Sequence, residues 1–156
     1  MIEALLRDLD ATRAAFLEAL GDVDADLVTT PGVVEDWSVR DLVVHVTAWC
    51  EHASAALDLA AEGRGAEFGY SSADTDAMNE RIAAEAQGIA PSAALVREEA
   101  AFAAFRERVA ALDPELLGLE LGNGDTVEAV IRYDGPDHYA EHTEHLRAWF
   151  GVEEDG

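Results

Sequence analysis

Three of the chain's five histidines, His138, His142 and His145, fall close together near its end. On a helix turning about 100° per residue, His142 lies about 40° from His138 and His145 about 20° to the other side. The three therefore share one stripe with Trp149, flanked by Tyr139 and Leu146, and should look toward the interior of a helical assembly. An H-x-x-x-H pair sets two imidazoles within reach of one divalent ion, whereas His138 and His145 are separated by roughly 10 Å of rise. His138 with His142 is the expected pair, and His142 with His145 the fallback. A third ligand must come from another helix, and His45 lies on the arc of Leu42, Trp49 and Ala56 that should face the core. A lone inward histidine is more often a hydrogen-bonded core residue. Beside an H-x-x-x-H helix the balance changes, because three buried imidazoles would otherwise cost considerable desolvation. His52 shares the His45 stripe two turns further on and reads as a polar residue at the bundle end.

Three neutral imidazoles leave a divalent ion with open positions for water or for a substrate's own donor. With water the chemistry would be hydrolysis; with a low-molecular-weight thiol it would be thiolate attack on an electrophile. Asp41, one turn before His45, and Glu141, beside His142, are the candidate catalytic carboxylates, as acceptors orienting an imidazole or as general bases. Their plainer readings are a helix-start charge and a surface carboxylate. Arg132 and Tyr133 could bind an acidic substrate or donate a proton, although a solvated arginine and a half-buried tyrosine are the ordinary alternatives. Tyr139 and Trp49 read as core walls. Cys50 points about 140° away from His45, with nothing nearby to activate it, and reads as a small core residue. A fourth protein ligand, such as His52 or Glu141, would make any ion a structural staple, so the alternative is a non-catalytic bundle that binds or sequesters a ligand.

The elements that must position these residues follow from apolar spacing. Ile2, Leu5, Leu6, Leu9, Phe16, Leu17 and Leu20 recur at three- and four-residue steps and predict a first helix stopped by Gly21. A long connection follows through Thr29-Thr30-Pro31-Gly32. Ser38 then caps a second helix, with Asp41 in its first turn, running to about Ala61. Gly63, Gly65 and Gly69 make a loop, and Asp74 opens a short helix through Glu85. Pro91-Ser92 starts a third long helix ending at Asp113-Pro114. Its stripe is Leu95, Phe102, Phe105, Val109 and Leu112, with Glu98, Glu99 and Glu107 toward water. Gly122-Asn123-Gly124 reads as a turn, because no strand precedes it and no lysine follows. Val127, Val130 and Ile131 suggest a helical turn or two, Pro136 breaks any continuous helix, and a last helix runs to Phe150-Gly151. The expected fold is all-α: a four-helix bundle with an extra short helix between helices 2 and 3, forming one domain over residues 1–156.

Composition agrees. The chain has 156 residues, is rich in alanine and contains no lysine, and its 33 Asp and Glu against 10 basic residues give a net charge of −23. Such a polyanion is repelled by nucleic-acid phosphates and anionic membranes, so neither is an expected partner. A small-molecule substrate is expected instead, and alanine-rich helix faces leave room for a homodimer. A single cysteine, no basic and apolar leader and no membrane-length apolar run point to the cytoplasm.

Trp37-Ser38-Val39-Arg40-Asp41-Leu42 followed by His45, together with Asp137-His138-Tyr139-Ala140-Glu141-His142 leading to Leu146-Arg147-Ala148-Trp149, resembles the DinB-like superfamily. The likeness is to its ClbS/DfsB-type and mycothiol-dependent maleylpyruvate isomerase-like members. The resemblance implies a four-helix bundle holding a divalent metal, zinc or nickel, through His45, His138 and His142; the chemistry open to such a site is what points to a thiol S-transferase or hydrolase acting on a small electrophile. Asp74-Thr75-Asp76-Ala77-Met78-Asn79 resembles a segment of the ClbS/DfsB-type proteins. The isomerase-like relatives carry a further C-terminal domain that is not present in this sequence, so the resemblance implies the site more strongly than that reaction.

Overall fold

The computed structural model describes residues 1–70 and 72–150. In chain order the helices are α1 (Ile2–Gly21), α2 (Val39–Ala61), α3 (Thr75–Ala86), α4 (Pro91–Ala111), α5 (Val127–Asp134) and α6 (Pro136–Phe150). Among the described residues there is no strand, only isolated bridges at Val34 with Trp37 and Glu120 with Thr126. The four long helices α1, α2, α4 and α6 form the expected bundle, and α3 is the expected short helix. Within it α2 packs on α4 and α1 on α6, while the short α5 lies against both α2 and α6.

The long helix α2 starts where the sequence says it should. Ser38 accepts a hydrogen bond from the Asp41 amide (3.2 Å) while the Asp41 carboxylate accepts one from the Ser38 amide (2.9 Å), a reciprocal box that satisfies two of the helix's open donors. From there Leu42, Val44, Val46, Cys50, Ala53 and Leu57 are almost wholly buried. Burying each of the larger of these contributes about 1.5–3 kcal/mol.

The long helix α4 departs from the expected pattern. Glu98 does not face water: it is 1% exposed, whereas Leu95 is 48% exposed. The buried side is set by Ala94, Glu98, Ala101, Phe105 and Val109. Arg13 on α1 donates two hydrogen bonds to the Glu98 carboxylate, at 3.0 and 2.7 Å, and the Tyr139 hydroxyl of α6 donates a third at 2.6 Å. A carboxylate so matched is tolerated inside a core, and the Arg13 guanidinium also lies 4.3 Å over the Phe102 ring.

The helices α5 and α6 are joined by Gly135 alone. Its amide closes α5 by donating to the Ile131 carbonyl (2.9 Å), and Pro136 begins α6 where a missing amide is harmless. A Cβ at Gly135 would lie 2.6 Å from the Ile131 oxygen, 3.0 Å from Phe105 and 3.1 Å from Leu9. Two distant loops meet at Gly122, whose amide donates to the Gly65 carbonyl (3.0 Å). A Cβ at Gly122 would overlap the Ala66 carbonyl.

Candidate metal centre and its cavity

His45 enters from the first turns of α2, His138 and His142 from the first two turns of α6. Their rings converge: the His45 and His138 Nε2 atoms are 2.9 Å apart, and those of His138 and His142 3.0 Å. One ligand atom from each lies within 4.8 Å of the others, and the three form the cluster of potential metal ligands found among the described residues. Burial, reinforced by neighbouring rings, resists protonation of all three. It lowers His45 and His138 to about 3 and His142 to about 2, so the cluster is neutral near pH 7.

The His138 Nε2 faces two other nitrogens yet carries either one hydrogen or one lone pair, so imidazoles alone cannot satisfy both contacts. A divalent cation among them would accept all three lone pairs at once. This donor set therefore fits a metal that favours imidazole, such as zinc or nickel. With the Nε2 atoms as donors, the ring protons fall on Nδ1. The His142 Nδ1 then points at the His145 Nδ1, 3.0 Å away, while the His45 and His138 Nδ1 atoms are buried without a hydrogen-bond partner.

The cluster forms part of the wall of a cavity of about 630 Å³. Trp37 packs on His45 with ring centroids 4.6 Å apart. Trp49, which the sequence suggests as a core wall, lines the cavity as well as the core, its indole N–H donating to the Asn79 side chain at 3.0 Å. His52, expected as a polar residue at the bundle end, also lines the cavity, against Tyr70 (4.5 Å), Phe68 (5.0 Å) and Trp49 (5.1 Å), and burial lowers its pKa.

The two candidate carboxylates stand apart from the rings. Besides the α2 cap, Asp41 accepts from Arg40 and Gln87, each at 3.1 Å, and its hydrogen bonds do not reach an imidazole. Glu141 is exposed and lines the cavity. Arg132 lies beside Asp8 (3.6 Å) and Glu128 (3.9 Å), while Tyr133 is 66% exposed at the cavity's edge. Cys50 is buried, its Sγ 3.6 Å from the Tyr139 hydroxyl, and burial pushes its thiol up to about 12. Sequence reasoning did not single out Asp134, Asn123, Asp125 or Tyr70, all of which line the cavity. The Asp134 carboxyl is pushed up to about 8 by burial and then by Asp125. Its position immediately before Gly135-Pro136, four residues from His138, was the available signal.

Residues 6–147 match the family of the mycothiol maleylpyruvate isomerase N-terminal domain. The chain belongs to that family. The isomerase N-terminal domain family falls within the DinB-like superfamily, as the resemblance in the sequence implies, and solved structures agree on the fold. An uncharacterised protein from Escherichia coli UTI89 superposes with a TM-score of 0.83 at 16% identity, covering 97% of this chain and 94% of that one. The colibactin self-resistance protein ClbS, solved in complex with double-stranded DNA, does so at 0.81 and 17% identity, covering 94% and 93%. Its DNA complex stands somewhat against the expectation, drawn from this chain's charge, that nucleic acid is not a partner, although likeness at that identity extends to architecture alone. Among curated proteins none matches the sequence.

Proposed function

We propose that this member of the isomerase N-terminal domain family is a metal-dependent enzyme acting on a small electrophilic compound. His45, His138 and His142 hold one divalent ion, zinc or nickel. The observation that carries the reading is the convergence of three neutral imidazoles, from two helices, on the wall of a cavity large enough for a small molecule. No carboxylate joins the three rings among the described residues, which favours a site open to substrate over a closed structural staple.

A divalent ion bound there would supply a Lewis acid, lowering the pKa of a water for hydrolysis or of a low-molecular-weight thiol for S-transfer. The chain's own residues supply the rest. His145 accepts the Nδ1 proton of His142 and fixes that ring's tautomer and tilt. Trp37 and Trp49 flank His45 and limit the approach of bulk water. Asp134 holds a proton near neutral pH while the cavity is free of substrate. Glu141 stands at the mouth. Asp41 positions His45 indirectly, by fixing where α2 begins.

Metal analysis of untagged protein tests the reading. It expects close to one equivalent of divalent metal and its loss in His45→Ala. A thiol panel with electrophilic substrates, run with and without metal, then separates transferase from hydrolase. Full metal content in His45→Ala would overturn the assignment.

A further inference from the structure

The cavity beside the histidines has a charge pattern that the metal site does not require. Aromatic rings form one wall: Trp49 and Tyr70 meet edge to face with centroids 5.5 Å apart, and Phe68 continues the surface beside Tyr70. Among the described residues the acidic groups lining the cavity are Asp134, Asp125 and Glu141, and no arginine lines it. The sequence has no lysine. Arg132, next in sequence to Tyr133, is drawn off toward Asp8 and Glu128. Among the described residues Asp134 has no ion-pair partner within reach, and the Asp125 carboxylate accepts from the Asn123 side-chain amide at 3.1 Å, while the Asp125 backbone amide donates to the Asn123 oxygen (3.1 Å) and its carbonyl accepts from the Leu121 amide (2.8 Å).

Away from the three histidines, a pocket with aromatic rings on one side, carboxyls on another and no arginine or lysine is complementary to an organic cation. We infer that the substrate carries a positively charged nitrogen, as a protonated or quaternary amine, which Asp134 and the Trp49–Tyr70 wall receive while its electrophilic part faces the three histidines. Burial, with Asp125 adding to it, keeps the Asp134 carboxyl protonated to about pH 8, and a neighbouring cation is the interaction that restores its ionised form. An anionic substrate would meet these carboxyls with no arginine or lysine to offset them, the divalent ion at the three histidines being the only positive charge offered. The chain's net charge of −23 also raises the local concentration of cations around the mouth.

This deepens the enzymatic reading by naming a substrate class, yet it is tested without turnover. Calorimetric titration of the full chain compares choline with dimethylbutanol, in which carbon replaces the ammonium nitrogen. The expected result is at least tenfold tighter binding of choline. Asp134→Asn should reduce that preference about tenfold and Tyr70→Leu several-fold, with dimethylbutanol binding unchanged in both. Equal binding of the two probes, no measurable choline binding, or a choline preference that survives both substitutions would overturn the inference. Metal content measured on the same samples keeps the two readings apart. Choline selectivity in a chain lacking metal would sink the metal centre alone, and bound metal with no selectivity would sink the cation pocket alone.

Discussion

The Nδ1 atoms of His142 and His145 lie 3.0 Å apart, one turn from each other on α6, so the ring that faces the cluster is steadied from behind by a second ring. One of the two nitrogens must carry the proton and the other accept it. Replacing His145 with alanine should leave the fold intact and weaken metal affinity about 10–100-fold, as loss of an orienting partner does. Competition against a calibrated chelator measures this. An unchanged affinity would show that His142 needs no such support.

The metal-free protein should be acid-sensitive through the same cluster. The folded-state values of about 3 for His45 and His138 and about 2 for His142 lie below the ordinary imidazole value. The unfolded chain therefore binds protons that the folded chain refuses. Stability is complete above about pH 6.5 and falls as pH drops toward 3, by at most about 1.4 kcal/mol per pH unit for each ring. Thermal melts of metal-stripped wild type and His45→Leu across this range isolate the effect, because surface charge is common to both. The wild-type curve should fall more steeply; parallel curves would contradict the assignment.

Asp134 should act in the opposite sense. Its carboxyl is raised to about 8 in the folded state, so the folded chain holds a proton that the unfolded chain has released, and stability declines as pH rises from about 4 to 8. Asp134→Asn removes this cost and should raise the melting temperature at pH 8 by the equivalent of about 1 kcal/mol or more, while impairing function. A lower melting temperature would show that the carboxyl is stabilised by its surroundings.

Glu98→Ala should be severely destabilising. It leaves the Arg13 guanidinium partly buried without its bidentate partner and the Tyr139 hydroxyl without its acceptor. Breaking such a pair costs about 3–5 kcal/mol, readable by urea denaturation. A loss below about 1 kcal/mol would mean that Arg13 simply turns to solvent.

Gly135→Ala tests the junction between α5 and α6. The added methyl meets the Ile131 carbonyl, Phe105 and Leu9, and overpacking of this kind costs about 1–3 kcal/mol. Because Asp134 and His138 flank the junction, metal affinity should fall together with the melting temperature. Stability lost with full metal affinity would separate the junction from the site.

What could be read in advance divides along the range of the interaction. The helices, the Ser38 start of α2 and the Pro136 break are local, written in periodicity and in capping residues. His138 with His142 is equally local, and His45 followed from the core-facing arc of its own helix. Glu98 was misread because the partners that make its burial acceptable, Arg13 and Tyr139, lie on other helices far away in sequence. Leu95 was misread with it, since the two errors are one rotation of the same helix. Asp134, Asn123 and Tyr70 reach the cavity only through tertiary folding, and His52 gained its aromatic surroundings the same way.

The bond from the Gly122 amide to the Gly65 carbonyl ties the segment leading to Phe68 and Tyr70 to the turn bearing Asn123 and Asp125. Two stretches of the cavity lining that come from separate loops are thereby tied to each other. Admission of a larger guest would have to shift both segments in concert, so reshaping either loop alone would change what the other can grip.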